Sequence, residues 1–205
     1  MAARRIASAA LLVLVALEAP PLAACEVPPA LLSGRSLSEH RRILEGEVSF
    51  VADARLHDFE GHTTAISGVV ITRELEDAVG CVAIEAKTLD TGIGARNRIM
   101  WADHLEVAQF PEIQFLLTGL GDVHRDGDTV AVTLEGALAL HGVTQSLRIP
   151  VTVIPADRGL LLEGMTILHM SDYAIKRPTF LFIRVKDEVN VRFRVLVGEA
   201  APPLP

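Results

Sequence analysis

Seven histidines, His40, His57, His62, His104, His124, His141 and His169, are spread along the chain. A metal site needs several ligands converging at short spacing, as in His-x-His or His-Glu-x-x-His, and no pair here has it. Two cysteines, Cys25 and Cys81, are too few for a closed Cys-type zinc site. Ser171 and Asp172 could be drawn with a distant histidine as a hydrolase triad. The chain, however, has no Gly-x-Ser-x-Gly nucleophile elbow. No catalytic residue, metal ligand or obligate cofactor is therefore expected. Arg96, Arg98, Lys176 and Arg177 offer cations that fit an anionic head group, and Arg presents a fork suited to phosphate. On residue type alone they read equally as a solvated face. His141 precedes Gly142 between two alternating runs, and reads first as a structural imidazole that bonds a neighbouring backbone group. Phe50, Phe115, Phe180 and Phe182 serve either as core fill or as the lining of a cavity.

The elements that must position these groups are strands. In 47–56 the even positions Val48, Phe50, Ala52, Ala54 and Leu56 are apolar and most odd ones polar, which is the period of a half-buried strand. In 81–89 Val82, Ile84 and Ala86 oppose Glu85 and Lys87, and 112–120 offers Ile113, Phe115 and Leu117. In 129–140 Val130, Val132, Leu134 and Leu138 share one face with Gly136 among them. In 188–197 Val189, Val191, Phe193, Val195 and Val197 alternate with polar residues. Asp126-Gly127 and the stretch 155–159 are hairpin signals, and "DFEGH" reads as a break. About eight strands with short links predict an antiparallel sheet that closes on itself or folds into a sandwich. One helical interruption stands out after residue 90. It starts at Thr91 or Gly92, presents Ile99, Met100 and Leu105 inward, and stops at Pro111.

Composition bounds the rest. The chain has 205 residues, half of them apolar, with few aromatics and a net charge of -7. It has no basic stripe for nucleic acid. Residues 1–24 read as an export signal: Arg4 and Arg5, then an apolar run too short for a stable membrane span. "LAAC" resembles the lipobox of bacterial lipoproteins, which makes Cys25 the expected lipidation site and leaves Cys81 an unpartnered thiol. Plain secretion is the alternative. A Cys25–Cys81 disulfide is compatible with an exported protein, although no spacing logic supports it. The expected division is a signal at 1–24, a tether at 25–46, a barrel at 47–198 and a disordered tail at 199–205.

"LDTGIGARNRIM", "HLEVAQFPEIQF", "LEGALALHGVTQSLRIPV" and "MSDYAI" together resemble the YceI-like family of lipid- or polyisoprenoid-binding proteins. The resemblance implies an all-β, eight-stranded antiparallel, lipocalin-like barrel with an elongated apolar cavity, the helical insertion joining its third and fourth strands. It implies an isoprenoid-type ligand, a quinone or polyprenyl tail. The chain departs from the family at the first strand, which lacks a His-Ser pair before Phe50, and at Arg96-Asn97, where Arg-Asp is usual. The expected ligand-facing set is Val48, Phe50, Val82, Ile84, Phe115, Leu134, Gly136, Leu138, Phe180, Phe182 and Phe193, with Arg96 and His141 as head-group candidates. The expected protein is an exported, non-enzymatic binding protein of the periplasm, held at a membrane by lipidated Cys25. The alternative is a structural or interaction protein of the envelope with a filled barrel.

Overall fold

A computed structural model describes residues 25–53, 58–73, 76–180 and 183–198. The signal reading at 1–24, the tail at 199–205, Ala54, Leu56 and Phe182 fall outside the described residues, as do the side chains of Thr179, Phe180, Ile183 and Arg184.

The alternating segments form strands, and the strands close. In chain order they are β1 (Glu39–Ala52), β2 (Phe59–Thr63), β3 (Ile66–Arg73), β4 (Asp77–Glu85), β5 (Glu112–Asp126), β6 (Thr129–Leu140), β7 (Val143–Ala156), β8 (Gly159–His169), β9 (Thr179–Phe180), β10 (Ile183–Arg184) and β11 (Glu188–Gly198). Neighbours pair antiparallel in the order β11-β8-β7-β6-β5-β4-β3-β1-β2, and β1 also pairs with β11, so the sheet has no free edge along its main run. β2 and β3 face β1 on one continuous register, Val48 opposite Thr63 and Arg42 opposite Val69. They are a single strand interrupted at Thr64 and Ala65. Counted so, the barrel has eight strands. β9 and β10 form a separate two-stranded ribbon.

The interruption at Thr64 has a local cause. Thr63 Oγ1 accepts a hydrogen bond from Ala65 N at 3.1 Å and lies 2.7 Å from Thr88 Oγ1, so the side chain offers the backbone a turn in place of the ladder. Opposite it, β1 has no ladder partner on this edge between Ile43 and Glu47.

Two expectations change. "DFEGH" is not a link, because Phe59–Thr63 is strand β2, and β1 begins at Glu39, inside the stretch read as tether. A bulge between Ile43 and Glu45 explains the second. It shifts the inward set from Arg41 and Ile43 to Gly46 and Val48, so simple alternation fails there. A second bulge beside Thr118 does the same in β5, where Leu117 and then Leu120 face inward.

The insertion between β4 and β5 is helical, as expected, and lies at one end of the barrel. It comprises helix α1 (Gly94–Ile99) and a continuing π-helical turn (Met100–His104). The wider turn alters the phase. Leu105 does pack on the core, but Ile99 is 53% exposed, contrary to the expected inward position. A short helical turn lies at Pro29–Leu32, and the segment Met170–Tyr173 forms another single turn.

The core has two parts. At the helix end Ala52, Leu138, Met170, Tyr173, Ile175 and Val185 are buried together. Towards the opposite end Val130, Val132, Ile149, Val151 and Val153 form the second cluster.

The N-terminal segment lies on the outer wall. Cys25 and Cys81 form a disulfide, with their Cα atoms 5.4 Å apart. Arg35 reaches Asp77 Oδ1 at 2.8 Å and donates to Thr118 O at 2.8 Å, the carbonyl beside the β5 bulge. Ser38 N donates to Thr72 O. This corrects the reading of Cys25 as a lipidation site and of Cys81 as a free thiol. A sulfur engaged in a disulfide cannot carry the thioether through which a lipobox cysteine is acylated.

Candidate functional site

Inward-facing residues of a closed sheet share one period, so the barrel collects the apolar face of every strand in its lumen. That lumen holds a cavity of about 190 Å³ to which all eight strands contribute. Of its lining side chains only Arg41, Thr72 and Thr166 are polar. Seven of the residues expected to face a ligand lie on it: Val48, Val82, Ile84, Phe115, Leu134, Leu138 and Phe193.

Phe50 and Gly136 do not line the cavity, and for Gly136 the reason is a device that recurs around the barrel. A glycine stands where a phenylalanine from the neighbouring strand lays its ring. A Cβ on Gly61 would lie 2.5 Å from the Phe50 ring, on Gly164 2.5 Å from Phe193, and on Gly136 2.6 Å from Phe115. Gly136 is on the inward face as expected, but the space it leaves is occupied by Phe115 and is not open channel. Phe180 contributes backbone to the small ribbon, and Phe182 lies outside the described residues.

The two head-group candidates are bound into the scaffold away from the cavity. Arg96 donates from Nε to Thr91 Oγ1 at 2.9 Å and from Nη2 to Thr91 O at 2.6 Å, and its guanidinium lies 5.4 Å from the Phe59 ring centroid. It belongs to a knot that fixes the start of α1. Asn97, buried, accepts from Thr91 N and donates to Asp90 Oδ1 at 2.6 Å, while Gly92 N donates to the same carboxylate at 2.7 Å. These hydrogen bonds, that from Asn97 first, hold the Asp90 carboxyl below its ordinary value. The chemistry of the "DTGIGARN" motif is thus the positioning of the helix.

His141 has both ring nitrogens engaged. Nδ1 donates to Tyr173 O at 3.0 Å and Nε2 meets Glu106 Oε2 at 2.8 Å, with Phe110 packed edge-on at 4.7 Å. His141 and Gly142 both have positive φ, 52° and 75°, the geometry of a tight two-residue hairpin turn. The imidazole ties this turn to the segment after the helix and to the turn at Met170–Tyr173. It makes the backbone bond that its residue type suggested, and it does not line the lumen cavity.

Ser171 Oγ donates to Asp187 Oδ2 at 2.5 Å. This bond is the largest cause that keeps the Asp187 carboxyl below its ordinary value. The hydroxyl therefore faces a carboxylate acceptor, and His169 instead lies 3.6 Å from Asp172 Oδ2 and 3.9 Å from Glu188 Oε1. No nucleophile-base pair is built here. Arg177 also faces Asp187, at 3.9 Å. Among the described residues no group of three or more His, Cys, Asp or Glu side chains converges as a metal site, and no helix is long and apolar enough to cross a membrane.

Sequence reasoning missed Arg41. Its side chain lines the cavity and is 16% exposed. Nη2 meets Glu39 Oε2 at 2.8 Å, Nη1 donates to Gly198 O at 3.1 Å, and Nε is buried with no hydrogen-bond partner. Thr72 Oγ1 donates to the same Glu39 oxygen at 3.2 Å. The sequence offered no signal for an inward cation, because the bulge at Leu44 reverses the facing of everything before it.

A family model described as a YceI-like domain matches residues 44–197. No curated protein matches by sequence. Among solved structures, BcnA of Burkholderia cenocepacia is similar with a TM-score of 0.60 at 21% identity, covering 75% of this chain and 96% of that one. A structure titled as a polyisoprenoid binding domain from Saccharophagus degradans has a TM-score of 0.60 at 16% identity, covering 80% and 99%. The YceI protein of Campylobacter jejuni follows at 0.55 and 14%, covering 72% and 88%. At these identities the likeness is one of fold.

Proposed function

The chain belongs to the YceI-like domain family, and on that footing we propose that it is an exported binding protein that holds an isoprenoid-type lipid within its barrel. The observation that carries this reading is the cavity: a lumen of about 190 Å³ whose lining is apolar except for three side chains. The Saccharophagus structure, titled as a polyisoprenoid binding domain, adds support. The physics is burial of hydrocarbon, about 0.8 kcal/mol per CH₂, so each five-carbon isoprene unit contributes about 4 kcal/mol without any polar contact. Export is supported by the signal-like residues 1–24 and by the Cys25–Cys81 bond, since disulfides persist in oxidising compartments such as the periplasm.

Size limits the ligand. An apolar cavity of about 150 Å³ takes one benzene ring, so 190 Å³ holds roughly one or two isoprene units. A longer tail must displace lining side chains or leave through an end. The second reading, a filled barrel with a structural or interaction role in the envelope, draws on this same smallness, because ordinary ligand pockets run from about 300 Å³ upward.

The test is organic extraction of protein purified from its own cells under mild conditions, with mass spectrometry of the extract, followed by displacement of a fluorescent prenyl analogue by farnesene. A prenyl lipid in the extract and displacement at micromolar concentration are expected. An empty extract with no displacement would sink the lipid reading and leave the filled barrel.

A further inference from the structure

Among the described residues Arg41 is the one charged side chain on the wall of the lumen, whose lining is otherwise apolar but for Thr72 and Thr166. It lies at the end opposite the helix, with Gly198 of β11 and Thr72 of β3 beside it. Burying a guanidinium is costly unless its donors are satisfied and its charge is offset. The charge is offset by Glu39 at 2.8 Å. The donors are not all satisfied: Nη1 and Nη2 bond to Gly198 O and Glu39 Oε2, while Nε–H is buried with no acceptor among the described residues. An orphaned donor of this kind is expensive, and native structures keep one where something else completes it.

We infer that Arg41 is the head-group anchor of the cavity and that the head it accepts is a neutral oxygen acceptor, a carbonyl or similar group, at the end of an apolar chain. This rests on the lipid reading above and deepens it by assigning the polar end of the ligand. Neutrality follows from charge. Arg41 and Glu39 already cancel, so a carboxylate or phosphate brought beside them would leave an uncompensated negative charge in a lumen with no further cation among the described residues that line it. A neutral oxygen adds an acceptor and no charge. Nε is buried in the wall, so the guanidinium turns to meet the head while Glu39 and Thr72 hold the carboxylate side of the pair. The tail then runs from β1's first residues towards Leu134 and Phe115, that is, towards the helix end.

The experiment uses three probes that share one tail: farnesylacetone, farnesoic acid and farnesene. Each displaces a fluorescent prenyl analogue from the oxidised mature protein. Wild type should bind the ketone about tenfold more tightly than the hydrocarbon, the size expected of one hydrogen bond from a charged donor. The acid should bind no better than the hydrocarbon. In Arg41→Met the ketone-to-hydrocarbon ratio should fall towards one. Arg41→Lys, which keeps the charge opposite Glu39 but has no Nε–H, should also lose most of the ratio, and it serves as the folded comparison if the Met variant melts early. A ratio near one in wild type, a ratio unchanged in both variants, or a preference for the acid overturns the assignment while tail binding stands. Failure of all three probes to displace the analogue from wild type overturns the lipid reading itself, and this assignment with it.

Discussion

Removing the Cys25–Cys81 bond should lower stability by an amount that chain statistics can set. The bond joins residues 56 apart in sequence. Closing a loop of that length in the unfolded chain removes entropy equivalent to about 4 kcal/mol at room temperature. In the native state the strap is also held by Arg35 on Asp77 and Thr118 and by Ser38 on Thr72, so it stays docked when the bond is cut and most of the effect falls on the unfolded state. For a domain of this size each kcal/mol moves the melting temperature by about 2–4 °C, so a drop of roughly 8–16 °C is expected. Cys25→Ser is the cleaner perturbation. Cys81 is 4% exposed, and a hydroxyl there would add a burial cost of about 1–3 kcal/mol. Once either sulfur is gone the other has no partner, so the double variant should match Cys81→Ser alone. The assay is thermal unfolding followed by far-ultraviolet circular dichroism, with and without reductant, and a thiol count on the denatured, unreduced protein. Two free thiols in periplasmically expressed protein, or a melting temperature indifferent to reductant, would refute the reasoning. So would a lipid adduct at Cys25 in the intact mass.

His141→Ala should cost about 2 kcal/mol in chemical denaturation, one increment for each of its two hydrogen bonds, and leave prenyl binding within twofold because the residue lines no part of the cavity. Lost binding at unchanged stability would reverse that assignment. Gly136→Ala should destabilise by about 1–3 kcal/mol, because even a methyl meets the Phe115 ring and the Leu116 carbonyl. Combining it with Phe115→Leu should recover part of that loss, and strict additivity of the two changes would show that the ring does not sit there. The carboxyls of Asp90 and Asp187 are both held below their ordinary 3.8 in the folded state. The stability they contribute is therefore full above that value and lost as pH falls below it. Asp90→Asn should flatten the acid limb of a plot of melting temperature against pH, and an unchanged limb would remove Asp90 from the account.

Much of the barrel was legible because burial on one face writes itself into every second residue, as in β6 and β11, and because Asp126-Gly127 and His141-Gly142 have the turn chemistry that hairpins require. What was hidden lies where a local event resets the phase. The bulge at Leu44 turned Arg41 inward and disguised the start of β1. The π turn after Ile99 put that side chain into solvent. β2 escaped notice because Gly61 and His62 look like a link, whereas Gly61 is there to receive the Phe50 ring. Gly136 was placed on the correct face, yet which side chain fills the space above a glycine depends on the neighbouring strand's register. The Cys25–Cys81 pairing depends on a strap crossing the outer wall, which leaves no periodic trace.

The missing rungs between β1 and the Thr64–Ala65 break give the wall a place where parting two strands breaks no main-chain bond. Ile43 and Ile66 flank that gap, and both also touch the lumen. The join of β7 and β8 is open in the same way, since it is laddered only between Val151–Ala156 and Gly159–Gly164. Thermal fluctuations that widen the cylinder will therefore concentrate at these two slits, as strain gathers at a notch. The disulfide ring from Cys25 to Cys81 encloses β1, β2 and β3 and keeps the lips of the first slit covalently tied, so it can gape and reclose without the first strand peeling away. Lateral breathing of this kind would widen the lumen for a chain too large for it at rest, without breaking a rung of the sheet.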